Sequence, residues 1–195
     1  MAHQKRRKKS NLASGKVRII AGKWRGRKLD VIDSPALRPT PDRVRETLFN
    51  WIQQEIVGAR CLDLFAGTGA LGFEALSRDA SEVVMVESSP KIVELLEQHA
   101  QTLKSENHSI ELADGLSWLR QATKGFDIIF LDPPFEQGYI EKCCALIIEE
   151  SLLNANGLVY IESEKNLTLP DGWYIKKQKV AGQVQSLLIE QSQDI

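Results

Sequence analysis

Cys61-Leu62-Asp63-Leu64-Phe65-Ala66-Gly67-Thr68-Gly69-Ala70-Leu71-Gly72 decides how this chain folds. The first five residues form a short, mostly apolar run, as expected of a strand covered on both faces. A glycine turn follows, and then a helical stretch through Leu76. Strand, glycine turn and helix in that order make a cradle for a nucleotide-like ligand, because glycines let backbone N–H groups approach it at a helix N-terminus. Gly67, Gly69 and Gly72 fit G-x-G-x-x-G. By itself that pattern also fits a sharp strand-to-helix turn with no ligand. Asp63 narrows the choice. A carboxylate inside the strand repels a pyrophosphate and suits a cation or an amino group.

The next segments carry the same signature. Val83-Val84-Met85-Val86-Glu87 is an apolar run closed by an acid, 24 residues after Asp63, where a ribose diol is expected. Asp114 follows the short run Ser109-Ile110-Glu111-Leu112. It can accept from an adenine amino group, cap a helix over residues 115–120, or do both. Phe126-Asp127-Ile128-Ile129-Phe130-Leu131 ends in Asp132-Pro133-Pro134-Phe135. An aspartate and a proline-fixed carbonyl can accept from a flat exocyclic NH2, and the Phe135 ring can stack on the base that carries it. The plainer reading of that stretch is a strand-ending turn. Asp63 and Glu87 together fit S-adenosylmethionine, which has a ribose, an adenine, an ammonium and a sulfonium but no phosphate, and acids at four consecutive strand ends are hard to assign to solvated surface charge. A nicotinamide cofactor is the competing reading of the glycine loop, and Asp63 argues against it.

From Cys61 onward strands and helices alternate. Ser89-Pro90 opens a helix, residues 139–150 form another, and residues 157–162 read as a strand. Residues 173–180 and 184–190 pair about Ala181-Gly182. The fold class is therefore α/β: a doubly wound, mostly parallel seven-stranded sheet with a C-terminal antiparallel hairpin. Upstream, residues 17–21 and 28–32 predict a small N-terminal β-hairpin extension, and residues 33–41 a turn-rich linker. Thr40 is expected to cap a helix with Pro41 at its first position. Val44, Leu48, Trp51, Ile52 and Ile56 form its apolar face, with Arg43 and Arg45 pointing away. Three parts follow: a basic disordered tail over 1–16, hairpin and linker over 17–40, and the main domain over 41–195.

The net charge of −1 hides an asymmetry. Residues 1–28 hold 11 Lys or Arg and no acid, leaving 14 basic and 26 acidic side chains elsewhere. A basic arm on an acidic body predicts a polyanionic partner. Lys5 to Lys9 also fit a solubilising tail. Trp24 among Arg25, Arg27 and Lys28 offers a stacking face to exposed RNA bases, or tucks into the core. Arg38, Arg43 and Arg45 reach phosphate, shape the pocket, or pair with Asp42 and Glu46 on a solvated face. Cys61, Cys143 and Cys144 fit neither a disulfide framework nor a zinc site, and the three histidines do not cluster, so no metal is expected. No run approaches membrane-spanning length and no secretory signal is read, which predicts a cytoplasmic protein.

On these residues the chain resembles the class I S-adenosylmethionine-dependent methyltransferases, and among them the amino-methyltransferases with a D/N-P-P-Y/F motif. Trp24-Arg25-Gly26-Arg27-Lys28-Leu29, Leu37-Arg38-Pro39-Thr40-Pro41-Asp42-Arg43-Val44-Arg45-Glu46 and Val180-Ala181-Gly182-Gln183-Val184 are similar to the RsmD family of bacterial 16S ribosomal RNA guanine-N2 methyltransferases. The resemblance runs from about Arg18 to Ile189. It implies a Rossmann-like methyltransferase fold, S-adenosylmethionine as methyl donor, and guanine N2 as acceptor in ribosomal RNA within a small-subunit particle. A monomer is expected. Asp132, Pro133, Pro134 and Phe135 would be catalytic. Asp63, Phe65, Gly67, Thr68, Gly69, Glu87, Ser88, Asp114 and Gly115 would hold the cofactor. Trp24, Arg25, Arg27, Lys28, Arg38, Arg43 and Arg45 would meet RNA.

Overall fold

The computed structural model describes residues 13–32, 40–134 and 138–192; Arg38, Phe135 and the basic run Lys5 to Lys9 lie outside them. Nine strands and five helices follow one another among the described residues. Strands β3 (Arg60–Asp63), β4 (Glu82–Glu87), β5 (His108–Leu112), β6 (Phe126–Leu131), β7 (Leu153–Glu164), β8 (Trp173–Ala181) and β9 (Val184–Gln191) form one sheet in the order β5-β4-β3-β6-β7-β9-β8. The first five are parallel, and β9 runs antiparallel to both β7 and β8. The sequence reading of a mostly parallel seven-stranded sheet with a terminal hairpin holds. Strand order reverses between β3 and β6, and in a doubly wound sheet the ligand crevice opens there, beyond the carboxyl ends of the strands.

Strand residues alternate between two packed layers, as the two-residue side-chain period requires. Cys61, Val83, Met85, Ile128 and Phe130 face α1 (Asp42–Trp51), α2 (Ala70–Ser77) and α3 (Pro90–Leu103). Leu62, Leu64, Val84, Val86, Ile129 and Leu131 face α4 (Gly115–Leu119) and α5 (Tyr139–Glu149). Each fully buried Leu, Ile or Phe contributes about 1.5–3 kcal/mol. The buried, unpaired cysteines belong to these layers.

Two expectations for α1 are corrected. Its N-cap is Pro41, without a side-chain bond, so Thr40 does not cap it. Arg45 does not point away from the apolar face: it is fully buried with Leu48 and Phe49. Its Nη2 donates to the Arg18 carbonyl at 2.8 Å and to Asp42 Oδ1 at 2.6 Å. Its Nη1 lies 3.7 Å from the buried Glu74 carboxylate. Local acceptors hold Nη2 and the Glu74 charge faces Nη1, while Nη1 and Nε have no hydrogen-bond partner among the described residues, so ion pairing replaces apolar burial at that position.

The N-terminal strands β1 (Ala13–Arg18) and β2 (Lys28–Ile32) pair antiparallel in a sheet of their own. A single 3-10 turn, Gly22–Trp24, lies between them. This hairpin is fastened to the main layers by buried polar groups. Glu74 of α2 accepts from Ile20 N–H at 2.7 Å and Ala21 N–H at 3.0 Å, and Ser77 Oγ accepts from Trp24 N–H at 3.0 Å. His99 of α3 accepts through Nε2 from Asp30 N–H at 3.0 Å. Among the described residues no helix is long and apolar enough to cross a membrane.

Candidate active site

The carboxyl ends of β3, β4, β6 and β7 and the turn after β5 surround one cavity of about 560 Å³. Asp63, Glu87, Asp114, Asp132 and Glu162 all line it, and no Lys, Arg or His does among the described residues. The four acids read from the sequence therefore share one site, and a fifth joins them. Glu162 went unrecognised, although it closes the apolar run Leu158 to Ile161 just as Glu87 closes Val83 to Val86.

Of the glycine loop, Gly67 lines the cavity, whereas Gly69, expected to hold the cofactor, and Gly72 do not. Gly69 takes a left-handed backbone (φ 74°) and starts α2, a conformation that strains residues with a Cβ. At Gly72 a Cβ would lie 2.7 Å from Met85 Sδ and 3.2 Å from Asp63 Oδ2. That close approach lets Gly72 N–H donate to Asp63 Oδ2 at 2.9 Å. Thr68, Ala70 and Leu71 line the cavity where α2 begins, and a helix N-terminus favours a ligand's negative end. Glu87 is held by Gly67 N–H at 3.1 Å and Ser89 N–H at 2.8 Å. Asp114 caps α4, accepting from Ser117 N–H at 2.9 Å. Cap and cavity lining coexist in that one side chain. Phe65, Gly67, Ser88 and Gly115 line the cavity as well.

Asp63 carries the clearest electrostatic mark. Burial, with smaller contributions from Asp132 and Glu87, pushes its carboxyl up to about 7, while the Gly72 N–H works the other way. Carboxylates crowded this way favour a cationic guest, which relieves both desolvation and like-charge repulsion.

Asp132, Pro133 and Pro134 line the cavity beyond β6, the strand next to β3. Thr40 Oγ1 donates to Asp132 Oδ2 at 3.1 Å. Nothing in the sequence pointed to this role, since a hydroxyl before proline reads as a helix cap. Tyr139, at the start of α5, lines the cavity too and packs edge-on against Phe65 with ring centroids 5.4 Å apart.

Comparison with known proteins bears on this geometry. The family described as Conserved hypothetical protein 95 matches residues 17–190. Ribosomal RNA small subunit methyltransferase D of Escherichia coli K12 is 46% identical over 181 residues, covering 91% of this chain and 91% of that protein. The protein of the same name from Haemophilus influenzae is 46% identical over 176 residues, covering 87% of this chain and 91% of its own.

The chain belongs to the RsmD family.

The solved structure of yhhF from Escherichia coli superposes with a TM-score of 0.84 at 45% identity, covering 91% of this chain and 98% of its own. The RsmD-family site suits a sulfonium methyl donor on its own chemistry. Five acids and, among the described residues, no lining cation suit the ammonium and sulfonium of such a donor better than the pyrophosphate of a nicotinamide dinucleotide.

The residues assigned to RNA fall into separate groups in this RsmD-family structure. Arg25, Arg27, Lys28 and Arg43 are exposed. Arg27 also donates to the Thr102 carbonyl at 3.1 Å. Trp24 is half-buried against the core, with the Lys23 ammonium 4.5 Å from its ring centroid, so its tucked reading applies to much of the ring. Arg45 is enclosed and has no surface to offer RNA. Among the described residues no group of His, Cys, Asp or Glu is arranged to hold a metal.

Proposed function

We propose that the protein transfers a methyl group from S-adenosylmethionine to the exocyclic N2 of a guanine in small-subunit (16S) ribosomal RNA. The observation that carries this reading is an acid-lined cavity, at the strand-order reversal, that is lined by both the glycine loop and Asp132-Pro133-Pro134. Family membership supports the ribosomal acceptor, because curated relatives carry that substrate in their names.

The donor supplies an electrophilic methyl on a sulfonium; the chain supplies orientation. Asp63 and the start of α2 take the amino-acid end, Glu87 the ribose hydroxyls, and Asp114 the adenine side. The guanine N2 lone pair is delocalised into the ring and is a poor nucleophile. Accepting its N–H bonds at Asp132 and at the Pro133 carbonyl favours a pyramidal nitrogen with its lone pair exposed. The prolines hold those acceptors rigid, so little reorganisation accompanies attack. Phe135, next in the chain, is assigned the ring that stacks on the base. Alignment of this kind contributes several kcal/mol to barrier reduction. No strong base is needed, since the nitrogen loses its extra proton readily once alkylated. Arg25, Arg27, Lys28, Arg38 and Arg43 are assigned to RNA phosphate, and the target base must be exposed or unstacked at roughly a few kcal/mol.

Mass-spectrometric mapping of 16S RNA from cells lacking the protein tests the reading. One N2-methylguanosine should be missing and should return with the wild-type gene. With Asp132→Ala it should stay missing, while affinity for S-adenosylhomocysteine remains within a few-fold. An unchanged modification map would refute the assignment.

A further inference from the structure

Glu162 brings to this cavity a carboxylate that the steps above leave unused. It lies near the end of β7 and is 7% exposed. It lines the main cavity together with Asp132, Pro133 and Pro134. It also lines a smaller hollow that shares Pro133, Pro134 and Tyr139 with the first and extends to Ile140 and Leu167. Glu162 thus stands where the two hollows adjoin, beside the segment assigned to the acceptor base.

Strand register explains the placement. Phe130 pairs with Tyr160 and Leu131 with Ile161 across the parallel β6–β7 ladder. Carried one step further, the register brings Asp132 level with Glu162, and level residues on neighbouring strands share a face. From the core side the Tyr160 hydroxyl donates toward Glu162 Oε2 at 3.3 Å and sits 3.1 Å from Ser186 Oγ. Burial, and then the charge of Glu162, push this phenol well above its ordinary pKa, so it stays protonated as a donor. The Glu162 carboxylate is therefore held in place before any base arrives.

Two carboxylates that line one cavity at the same strand level suit a ligand edge with two adjacent donors. The pairing edge of guanine presents N1–H next to the N2 amino group. Adenine presents a lone pair at N1 next to its amino group, and a carboxylate facing that lone pair leaves two acceptors unpaired. We propose that Glu162 accepts the N1–H of the target guanine while Asp132 engages N2, and that Glu162 thereby selects guanine. The inference rests on the guanine-N2 reading above and adds the residue that enforces it.

2-Aminopurine keeps the N2 amino group but has a bare N1, which allows a direct test. Small-subunit particles are assembled on RNA ligated to carry guanine or 2-aminopurine at the mapped position. Initial methylation rates are then compared for wild type and Glu162→Gln. Wild type should prefer guanine by roughly 10²-fold or more. The glutamine amide can donate to a bare N1 while its carbonyl keeps the Tyr160 contact, so Glu162→Gln should shrink that ratio by about tenfold or more. Unfolding temperature and S-adenosylhomocysteine binding by calorimetry should match wild type. If wild type methylates 2-aminopurine within a few-fold of guanine, the proposal is overturned whatever the variant does. A folded Glu162→Gln protein with an unchanged ratio overturns it too. Particles whose guanine wild type does not methylate would instead sink the guanine-N2 reading, and this inference with it.

Discussion

Thr40 Oγ1 donates to Asp132 Oδ2 at 3.1 Å, joining side chains 92 positions apart in the chain. Thr40 precedes α1, and Asp132 follows β6. In the proposed mechanism the bond fixes a carboxylate that must already point correctly when the base arrives. It also makes the segment entering α1 part of the active-site wall, since Thr40 is buried and lines the cavity.

Thr40→Val keeps the shape of the side chain and removes the hydroxyl. A hydrogen bond to a charged group contributes about 1.5–3 kcal/mol. Turnover should fall by roughly 10- to 100-fold, with S-adenosylhomocysteine affinity within a few-fold of wild type. Thr40→Ser should recover most of the loss. Steady-state methylation kinetics on small-subunit particles provide the check, and full turnover in the valine variant would make the bond incidental.

Asp63 gives the site a defined pH signature. Its folded pKa of about 7 lies above the ordinary value of 3.8. Between those values the unfolded chain is ionised and the folded chain keeps the proton, so stability of the ligand-free protein falls as pH rises through that window. Asp63→Asn can still accept from Gly72 N–H and removes the charge. It should flatten the decline and stabilise the ligand-free protein above pH 7 by an amount on the order of a few kcal/mol. In wild type, affinity for S-adenosylmethionine should rise as pH increases through about 7; in Asp63→Asn it should be weak and nearly flat. Calorimetric titrations on either side of neutrality decide it.

Arg45 predicts how the hairpin comes loose. It is fully buried between the Arg18 carbonyl, Asp42 and Glu74, and Glu74 in turn receives the N–H groups of Ile20 and Ala21. Removing one partner of a buried ion pair costs about 3–5 kcal/mol, because the remaining charge stays buried. Arg45→Ala should lower the unfolding temperature and speed amide exchange at Ile20 and Ala21 above all. Arg45→Lys should repair little of this, since an ammonium cannot reproduce the guanidinium fork. Slow exchange at those two amides in Arg45→Ala would show that Arg78, 2.7 Å from Glu74, suffices as its partner.

Legibility from sequence followed the range of the signal. The strands from Cys61 onward declare themselves by local apolar runs, and the acids that close them follow from the same pattern. β2 matches its expected bounds, and β8 and β9 fall within a residue of theirs. Arg45, Thr40 and Glu162 did not yield to that reasoning, for separate reasons. A helical wheel counts arginine as polar, and only the fold supplies the Glu74 and Asp42 that let it be buried. Thr40 has the local grammar of a cap but is claimed by a carboxylate far along the chain. Glu162 carried the right signature, and its role shows only when the β6–β7 register sets it beside Asp132.

The exposed cations of the hairpin allow a final test, in which Arg25 and Lys28 are informative and Arg27 is not. Arg27 holds the Thr102 carbonyl of α3, so its removal would mix a docking defect with a binding defect. Arg25 and Lys28 are exposed and carry no such tie to α3. If they neutralise RNA phosphates, the double substitution to alanine should weaken binding to small-subunit RNA without regard to sequence. It should also reduce the slope of log affinity against log salt by about 0.7–0.9 for each phosphate left without its cation. S-adenosylhomocysteine affinity should not move, because neither side chain lines the cavity. A slope equal to wild type across a salt titration would remove the hairpin from the RNA interface and leave Arg43 and the chain outside residues 13–32 to supply the charge.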